Sequence, residues 1–247
     1  MPKICIMFFG LLRKLNITLP SIRKNIFIEL EKQGYEYDIY IHTYKINTIN
    51  CPRAGENNIK YDNNQILLFK HPLTKIQIDD QDKIDKTLKF NKILSKKNPW
   101  PEDPSKISMK NVIRQYYSLK RVFEMVKNEM IKNEMIKNEN KRYDGYLFLR
   151  PDMIYLNPLY LNLITMPIEQ YNFYSPPWNT YNGVNDRMCL TSYYGAEVYA
   201  SRLNKVYDET NIHSETFLKK HLLKNKMIVL PLNLNSYRIR TNGKIKK

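Results

Sequence analysis

The sequence predicts an α/β fold with a mostly parallel central sheet and helices on both faces. Lys3 to Phe9 is a short apolar run, typical of a strand that is buried on both faces. A helical pattern follows it, and Tyr37 to Thr43 then has the composition of a second strand. A strand, a helix and a strand at the start of the chain form a βαβ unit, and such units predict a parallel sheet.

The helix between these two strands has clear start and stop signals. Thr18 is expected to cap it, with Pro20 in its first turn. Apolar residues recur at helical spacing from Leu19 to Leu30 and form one face, and Gly34 is expected to end the helix.

The segment after the second strand is less regular. Ile66 to Lys70 has the composition of a third strand. Residues 75–110 are polar and interrupted by prolines, as in Asn98-Pro99-Trp100-Pro101. We therefore expect one domain over residues 1–247 with a polar insertion or flap at about 75–110.

The strongest amphipathic helix lies in the middle of the chain. Its apolar positions follow a 4-3-4-3 spacing at Val112, Tyr116, Leu119, Phe123 and Val126. A Lys-Asn-Glu-Met-Ile unit then recurs from Lys127 to Glu139. A five-residue period turns successive copies about 140° around a helix, so no single face is kept. We expect a solvated helical extension at about 127–140, with a partner-binding arm as the alternative.

A buried strand at Tyr143 to Leu149 ends in a rigid polar tip, Arg150-Pro151-Asp152. In open α/β sheets, ligands bind beyond the carboxyl ends of the strands. Arg150 and Asp152 are two residues apart and can face one ligand. A surface salt bridge at a strand end is the alternative.

Beyond this tip the sequence predicts further strands and helices, then a basic tail. The strands are Tyr171 to Pro177, Arg187 to Thr191 and Met227 to Leu230; the helices are Tyr193 to Leu203 and Ser214 to Leu223; the tail is Tyr237 to Lys247.

Composition limits the class of protein. A hydrophobic content of 43% and an aromatic content of 12% indicate a folded globular chain. The net charge of +16 favours an anionic partner. However, the abundance of Lys, Asn, Ile and Tyr indicates A/T-rich codon bias, so the charge by itself decides little.

The cysteines and the apolar runs indicate the cellular compartment of the protein. Three cysteines without metal-ligand spacing predict free thiols in a reducing compartment. The opening apolar run is followed by Arg13-Lys14 without a cleavage site, which favours a core strand over a signal peptide. No run approaches the roughly 20 apolar residues of a membrane span. We expect a cytoplasmic protein, in the host cytoplasm if the chain is viral.

Two further site candidates follow a strand or begin a helix. Gly10 and Arg13 lie in the loop after the first strand, where doubly wound folds meet phosphates. Glu215 lies in the first turn of the helix that begins at Ser214, where a carboxylate is stabilised as the anion. An ordinary solvated arginine and simple helix-end stabilisation are the alternatives.

The sequence lacks the motifs of several common enzyme classes. The sequence has no Gly-x-Gly-x-x-Gly, no Walker A and no Gly-x-Ser-x-Gly sequence. The four histidines, His42, His71, His213 and His221, lack zinc spacing. Of these, His42 ends a strand on the predicted ligand side, although a satisfied core histidine is the preferred interpretation.

Taken in order, these segments resemble small GT-A-type glycosyltransferases of large DNA viruses and polysaccharide-synthesis clusters. The similar segments are Phe8 to Arg13 with Thr18 and Ser21-Ile22, Tyr37 to Thr43, Gln115 to Leu119, Tyr143 to Asp152, Asn185-Asp186-Arg187, and Glu215. The resemblance excludes Cys51 to Lys110. It implies a single GT-A-like (Rossmann-like) domain that moves a sugar from a nucleotide-diphosphate sugar to a glycan hydroxyl.

The resemblance also implies roles for particular residues. Donor contacts are expected at Gly10, Arg13, Arg150 and Asp152, and acceptor contacts at Trp178 and Asn185. Glu215 matches the catalytic carboxylate of inverting members, which takes a proton from the acceptor, and Asp186 is the rival base. In this interpretation Arg238 and Arg240, which lie in the basic tail, contact the donor phosphates. The alternative is that they belong to a solvated basic terminus.

The metal site departs from the family pattern. Arg150 and Asp152 occupy the place of the usual Asp-x-Asp, so the first carboxylate is replaced by a cation. Either Asp152 alone holds Mn²⁺ or Mg²⁺, or Arg150 neutralises the diphosphate and Asp152 binds hydroxyls. The expectation is a weakly bound cation at Asp152.

Two other functions are kept as alternatives. One is a basic nucleic-acid-binding protein, although no such motif is present and the basic residues are spread along the chain. The other is a non-catalytic sugar-nucleotide-binding relative. The expected partners are a nucleotide sugar and a glycan acceptor, not nucleic acid.

Overall fold

The structure, a computed structural model, describes residues 1–69, 74–137 and 143–246. The strands are β1 (Lys3–Phe9), β2 (Glu36–Lys45), β3 (Thr48–Cys51), β4 (Glu56–Lys60), β5 (Thr74–Asp80), β6 (Gly145–Leu149), β7 (Met153–Tyr155), β8 (Asn172–Ser175), β9 (Cys189–Thr191), β10 (Ile228–Pro231), β11 (Ser236–Ile239) and β12 (Ile245–Lys246). The helices are α1 (Leu15–Ile22), α2 (Ile28–Lys32), α3 (Gln81–Asp85), α4 (Phe90–Leu94), α5 (Ile107–Lys137), α6 (Tyr193–Ala200), α7 (Arg202–Lys205) and α8 (Ser214–Lys224).

A seven-stranded sheet forms the centre, in the order β10-β8-β9-β6-β1-β2-β5. β9 runs antiparallel to both of its neighbours, and the other pairs are parallel. Six strands therefore share one direction and present their carboxyl ends at one edge. The predicted mostly parallel sheet is confirmed.

Helices cover both faces of this sheet. The odd-numbered residues of β1 from Cys5 to Phe9 join a core that includes the buried face of α5. The even-numbered residues from Ile4 to Phe8 join a core that includes α1. Because successive strand residues point to opposite faces, β1 is buried on both sides, as its continuous apolar run predicts.

The first helix begins one turn earlier than expected. α1 starts at Leu15 after Lys14, which has a φ of 50°, and Thr18 is a buried interior residue. The predicted Thr18 cap is therefore wrong, because the loop after β1 is short and the helix begins directly after it. Pro20 lies inside α1 at an exposed position, and a π-helical segment, Arg23–Phe27, joins α1 to α2. Gly34 follows α2 with a φ of 76°, as predicted.

The edge of the sheet differs from the predicted third strand. Asn63–Leu68 is a 3₁₀-helix, and residue 70 lies outside the described residues. β5 supplies the edge strand instead, from within the range expected to be a polar insertion. α3, α4 and the first turn of α5 also lie in that range. An edge strand is half exposed, so its polar composition hid it from a search for apolar runs.

The long central helix has the predicted core face. Of its predicted positions, Tyr116, Leu119, Phe123 and Val126 are buried, whereas Val112 is half-buried and its neighbour Ile113 is buried instead. The helix continues through the five-residue repeat to Lys137, and Met135 in the repeat is 80% exposed. Residues 138–139 of the repeat lie outside the described residues.

The end of the chain is ordered against the site, unlike the solvated tail that was one interpretation. β11 pairs with β7 and β12 in a small antiparallel sheet. The backbone N–H of Ile239 donates to the carbonyl of Asp152 at 3.0 Å. This pairing carries Arg238 and Arg240 to the carboxyl end of β6. No local pattern predicted it, because β7 is only three residues long.

The described ranges include all three cysteines and the helices named above. None of the helices described there is long and apolar enough to cross a bilayer. Cys5, Cys51 and Cys189 are all buried and unpaired, in agreement with free thiols.

Gly195 tests the packing of α6 on the sheet. A Cβ added there would lie 1.9 Å from Oγ1 of Thr191 and 2.8 Å from Cε of Met227. Gly195→Ala should therefore lower the free energy of unfolding by about 1–3 kcal/mol, measured by urea titration. Lys205→Ala, at an exposed position in the next helix, is the control and should change it by less than about 0.5 kcal/mol. Equal stability of Gly195→Ala and wild type would contradict this packing.

Candidate functional site

One cleft of about 430 Å³ lies at the carboxyl edge of the sheet. Gly10 and Arg13 line it after β1, Arg150 after β6, and Asp186 and Glu215 from the opposite wall. The structure thus brings together the candidates that the sequence places after two strands and at a helix start. Asp152 lies directly behind the lining and is fully buried.

The Asp152 carboxylate is enclosed by three guanidinium groups. Arg150 donates from Nε to Oδ1 at 2.8 Å and from Nη2 to Oδ2 at 2.7 Å. Arg13 Nη1 and Arg238 Nε donate to Oδ2 at 2.9 and 3.2 Å. Burial opposes ionisation of Asp152, but Arg150 and then Arg238 hold its pKa well below the ordinary value.

A second buried carboxylate, Glu56, continues this cluster. Its Oε1 accepts from the backbone N–H of Thr241 at 2.7 Å, and it forms ion pairs with Arg13 at 3.6 Å and Arg240 at 3.5 Å. Sequence analysis missed Glu56, which lies on the short strand β4 in a polar segment without any motif. We call Arg13, Arg150, Arg238 and Arg240 the arginine wall.

The arginine wall carries more positive than negative charge. Four guanidiniums share two buried carboxylates, Asp152 and Glu56, which leaves an excess of two positive charges. Burial and the charge of Arg150 lower the pKa of Arg238 well below its ordinary value, and burial and Arg13 lower that of Arg240. This side of the cleft therefore favours an anion.

The opposite wall carries a pair of carboxylates. Glu215 is 7% exposed, and Ser214 Oγ donates to its Oε2 at 2.6 Å. Burial and the charge of Asp186 raise the pKa of Glu215 to about 7. His213 Nδ1 lies 3.4 Å from Glu215 Oε2, but burial lowers the pKa of His213, so it is neutral near pH 7 and offsets little charge.

Gln115 on α5 joins the two walls. Its Oε1 accepts from Arg150 Nη1 at 2.6 Å, and its Nε2 donates to Asp186 Oδ2 at 2.9 Å. One amide thus fixes the distance between the anion-binding side and the carboxylate pair. The sequence placed Gln115 only within a family-like segment. Gln115 could have been found from its position, because it directly precedes the core residue Tyr116 on the helix before the central strand.

The first turn of α8 is positioned by a glycine. A Cβ added to Gly183 would lie 2.1 Å from the carbonyl carbon of Glu215. The neighbouring Val184 N–H donates to that carbonyl at 3.1 Å. The loop before Asp186 therefore packs directly on the backbone of Glu215, which holds the two carboxylates on one wall.

The expected acceptor contacts at Trp178 and Asn185 stay predictions, and the structure shows what surrounds these two side chains. Asn185 is fully buried; it donates to the Trp178 carbonyl at 2.9 Å and accepts from the Arg187 N–H at 2.9 Å. Trp178 Nε1 donates to the Leu234 carbonyl at 3.1 Å, and its ring packs against the core on the α1 side. Neither residue is part of the described cleft lining; Asn185 is turned inward, whereas Trp178 is half-buried with Arg187, a lining residue, 5.6 Å from its ring.

Other aromatic residues line the cleft instead. The Trp100 and Tyr181 rings lie 5.7 and 6.2 Å from the ring of His213. Tyr181 is 48% exposed, so its face is open to a ligand. Sequence analysis treated Trp100 as part of a breaker, since only folding brings residues 99–102 to the strand ends.

His42 is a satisfied core residue, as preferred from the sequence. It is fully buried, with Nδ1 2.8 Å from Ser118 Oγ and Nε2 3.1 Å from Asp79 Oδ2. Ser118 Oγ also accepts from the Gly10 N–H at 2.8 Å and is itself fully buried. These contacts resemble a hydrolase triad only in composition, because the hydroxyl is inaccessible. They hold the Gly10 loop in place.

The expected divalent cation does not fit the residues at Asp152. Both carboxylate oxygens are used by guanidinium N–H groups. Across the described ranges, no cluster of three or more His, Cys, Asp or Glu side chains could hold a metal ion. A cation at Asp152 would have a single remaining position, on Oδ1, and would face the positive charges of three guanidinium groups.

Comparison with known proteins adds little to this geometry. No protein-family model and no curated protein matches the sequence. A similar solved structure is the apo form of the glycosyltransferase GlyE of Streptococcus pneumoniae TIGR4, with a TM-score of 0.43 and 10% identity. The likeness covers 93% of this chain and 45% of that chain, so the present chain spans less than half of its length. A likeness this weak carries no conclusion about activity.

The raised pKa of Glu215 predicts a stabilising substitution. The unfolded chain loses this proton near its ordinary pKa of 4.5, whereas the folded chain keeps it up to about 7. The free energy of unfolding therefore falls as pH rises between these values. Glu215→Gln should remove that loss and be more stable than wild type by roughly 1–3 kcal/mol at pH 8 but not at pH 4.

Urea unfolding at both pH values checks this prediction. Glu209→Gln is the control, because hydrogen bonds from Lys220 and Lys224 lower the pKa of Glu209. This second variant should show no gain at pH 8. If Glu215→Gln were less stable than wild type at pH 8, the ionised Glu215 carboxylate would not destabilise the folded protein.

Proposed function

We propose that this protein is an inverting glycosyltransferase that moves a sugar from a nucleotide-diphosphate sugar to a hydroxyl of a glycan acceptor. One observation carries the proposal. A single cleft is lined both by the arginine wall and by Glu215, whose pKa is about 7, and Gln115 links Arg150 of the wall to Asp186, the neighbour that helps to raise this pKa. Such a cleft offers a base for a hydroxyl and positive charge for a leaving group.

The donor diphosphate is assigned to the arginine wall. Guanidinium groups bind phosphate oxygens in a planar, often bidentate geometry. Gly10 opens the approach on the β1 side, since its φ is 94° and a Cβ there would have nothing within 4 Å. Gly10, Arg13 and Arg150 thus act as donor-binding residues, and Asp152 acts through the arginines that it holds.

Glu215 is assigned as the catalytic base. The acceptor oxygen forms a bond to the anomeric carbon while the bond from that carbon to the diphosphate oxygen breaks. The hydroxyl proton moves to Glu215, and the diphosphate leaves with the electron pair, stabilised by the arginine wall. A pKa of about 7 leaves Glu215 largely ionised above neutral pH, yet basic enough to take a proton.

Asp186 is assigned a tuning role, although it remains the rival base. Gln115 occupies one of its oxygens, and its negative charge raises the pKa of Glu215. Because Asp186 and Glu215 lie on one wall, either carboxylate faces an acceptor that enters beside Tyr181 and Trp100. Sugar rings have apolar faces that stack on aromatic side chains, so the exposed Tyr181 ring forms the proposed acceptor platform, beside the buried Trp100.

Donor turnover tests the roles of the two carboxylates. A thermal-shift screen of UDP-glucose, UDP-galactose, UDP-N-acetylglucosamine and GDP-mannose first identifies a ligand that raises the melting point. Release of the nucleoside diphosphate from that sugar, by transfer to water or to added glycans, is then measured. Glu215→Gln should lose at least about 100-fold in rate while its thermal shift is kept. The control Glu209→Gln should match wild type.

The possible results separate the proposed roles. A larger loss for Asp186→Asn than for Glu215→Gln would make Asp186 the base. Near-normal release by Glu215→Gln would remove Glu215 from this role. Binding without any release would make the protein a non-catalytic sugar-nucleotide-binding relative.

The pH profile of release gives a separate check. Because the base must be ionised, the rate should rise with pH and level off above about 7. Asp186→Asn removes the neighbouring charge and should move the midpoint to lower pH. An unchanged midpoint in this variant would show that Asp186 does not set the pKa of the base.

A further inference from the structure

We infer that this chain binds the diphosphate of its donor with arginine side chains alone, so that no divalent cation takes part. In this arrangement Asp152 is the anchor of the arginine wall and not a metal ligand. The inference rests on the proposed function for its ligand, a nucleotide-diphosphate sugar, and it replaces the cation expected from the sequence.

The hydrogen bonds of Asp152 carry the first step. A carboxylate has about four acceptor positions on its two oxygens. Four guanidinium N–H groups from Arg13, Arg150 and Arg238 already donate to them, at 2.7–3.2 Å. A hard cation prefers oxygen ligands that point freely at it. Oδ2 accepts three of these bonds and Oδ1 one, so at most one position on Oδ1 is left, and the surrounding positive charges would repel an ion there.

No other carboxylate lining the described cleft takes over this role. Glu102 is paired with Arg53 at 3.3 Å near the surface. Asp186 and Glu215 lie on the opposite wall, where they are proposed to handle the acceptor proton. A donor diphosphate held at the arginine wall would therefore find positive side chains where other enzymes of its class present a metal.

The charge of the wall matches the ligand. The arginine wall has an excess of two positive charges over Asp152 and Glu56. The diphosphate bridge of a nucleotide sugar carries two negative charges. In addition, the buried Nε of Arg13 has no hydrogen-bond acceptor within the described part of the chain, only the 3.6 Å ion pair with Glu56.

The wall is held rigidly enough to replace a metal. Arg238 lies opposite Met153 in the β11–β7 pairing, and the next residue, Ile239, donates to the Asp152 carbonyl at 3.0 Å. Arg150 is fixed by its two bonds to Asp152 and by Gln115. Because these side chains are ordered before the ligand arrives, binding costs little conformational entropy.

Pyrophosphate binding without metal tests the inference. Inorganic pyrophosphate is titrated calorimetrically into protein dialysed against EDTA. We expect binding in EDTA, and an affinity at least tenfold lower in Arg238→Ala and in Arg240→Ala. Arg238→Lys should lose less affinity than Arg238→Ala, since lysine keeps the positive charge but lacks the planar, bidentate donor geometry of arginine. The control Arg23→Ala, at an exposed position in the π-helical segment that follows α1 and outside the cleft, should bind as wild type does.

Asp152→Asn separates the two arrangements. If Asp152 only anchors arginines, this variant leaves their charge less compensated. Pyrophosphate should then still bind in EDTA and still raise the melting point, although less than in wild type because the guanidiniums have lost part of their anchor. If Asp152 ligates a metal, pyrophosphate should bind only with added Mn²⁺ or Mg²⁺, and Asp152→Asn should abolish that binding. The second result would overturn the inference.

The same experiment distinguishes this inference from the proposed function. Turnover of a nucleotide sugar that requires an added cation would support the glycosyltransferase and overturn the arginine-only site. Pyrophosphate binding in EDTA without turnover of any nucleotide sugar would support the anion site and contradict the glycosyltransferase. Turnover in EDTA at the rate seen with Mn²⁺ would support both.

Discussion

The buried ion cluster around Asp152 is the constraint on which the rest of the site depends. A buried carboxylate is costly unless it is paired and hydrogen-bonded. Asp152 meets this condition through Arg13, Arg150 and Arg238, which come from the loop after β1, the end of β6 and β11. One carboxylate therefore ties together the beginning, the middle and the end of the chain. It also sets the positions of the guanidiniums that face the cleft.

Positive and negative groups line the same cleft, and a single side chain, Gln115, lies between them. Gln115 bonds to Arg150 on one wall and to Asp186 on the other, so one amide links the two. On the negative wall, Gly183 lets the loop that carries Asp186 pack on the backbone of Glu215. Burial, and then repulsion by Asp186, raise the pKa of Glu215, so its ionised form costs stability. Sites that need a strongly shifted group commonly carry such a cost.

The errors made from the sequence have specific physical causes. Thr18 has the chemistry of a cap, but the chain enters the helix at Leu15, and a cap is defined by backbone geometry as well as residue type. β5 is polar because an edge strand is half exposed, so it was taken for an insertion.

Local patterns in the sequence determined β1, β2, β6, α5 and α8, because periodicity and capping residues act over a few neighbouring positions. They also located Arg13, Arg150, Asp152 and Glu215, since each follows a strand or begins a helix. Only the tertiary structure decided what these residues contact. Arg13 and Asp152 are 139 residues apart, and Arg238 and Asp152 are 86 apart. Whether a carboxylate holds arginines or a metal depends on such distant partners, and no local pattern encodes them.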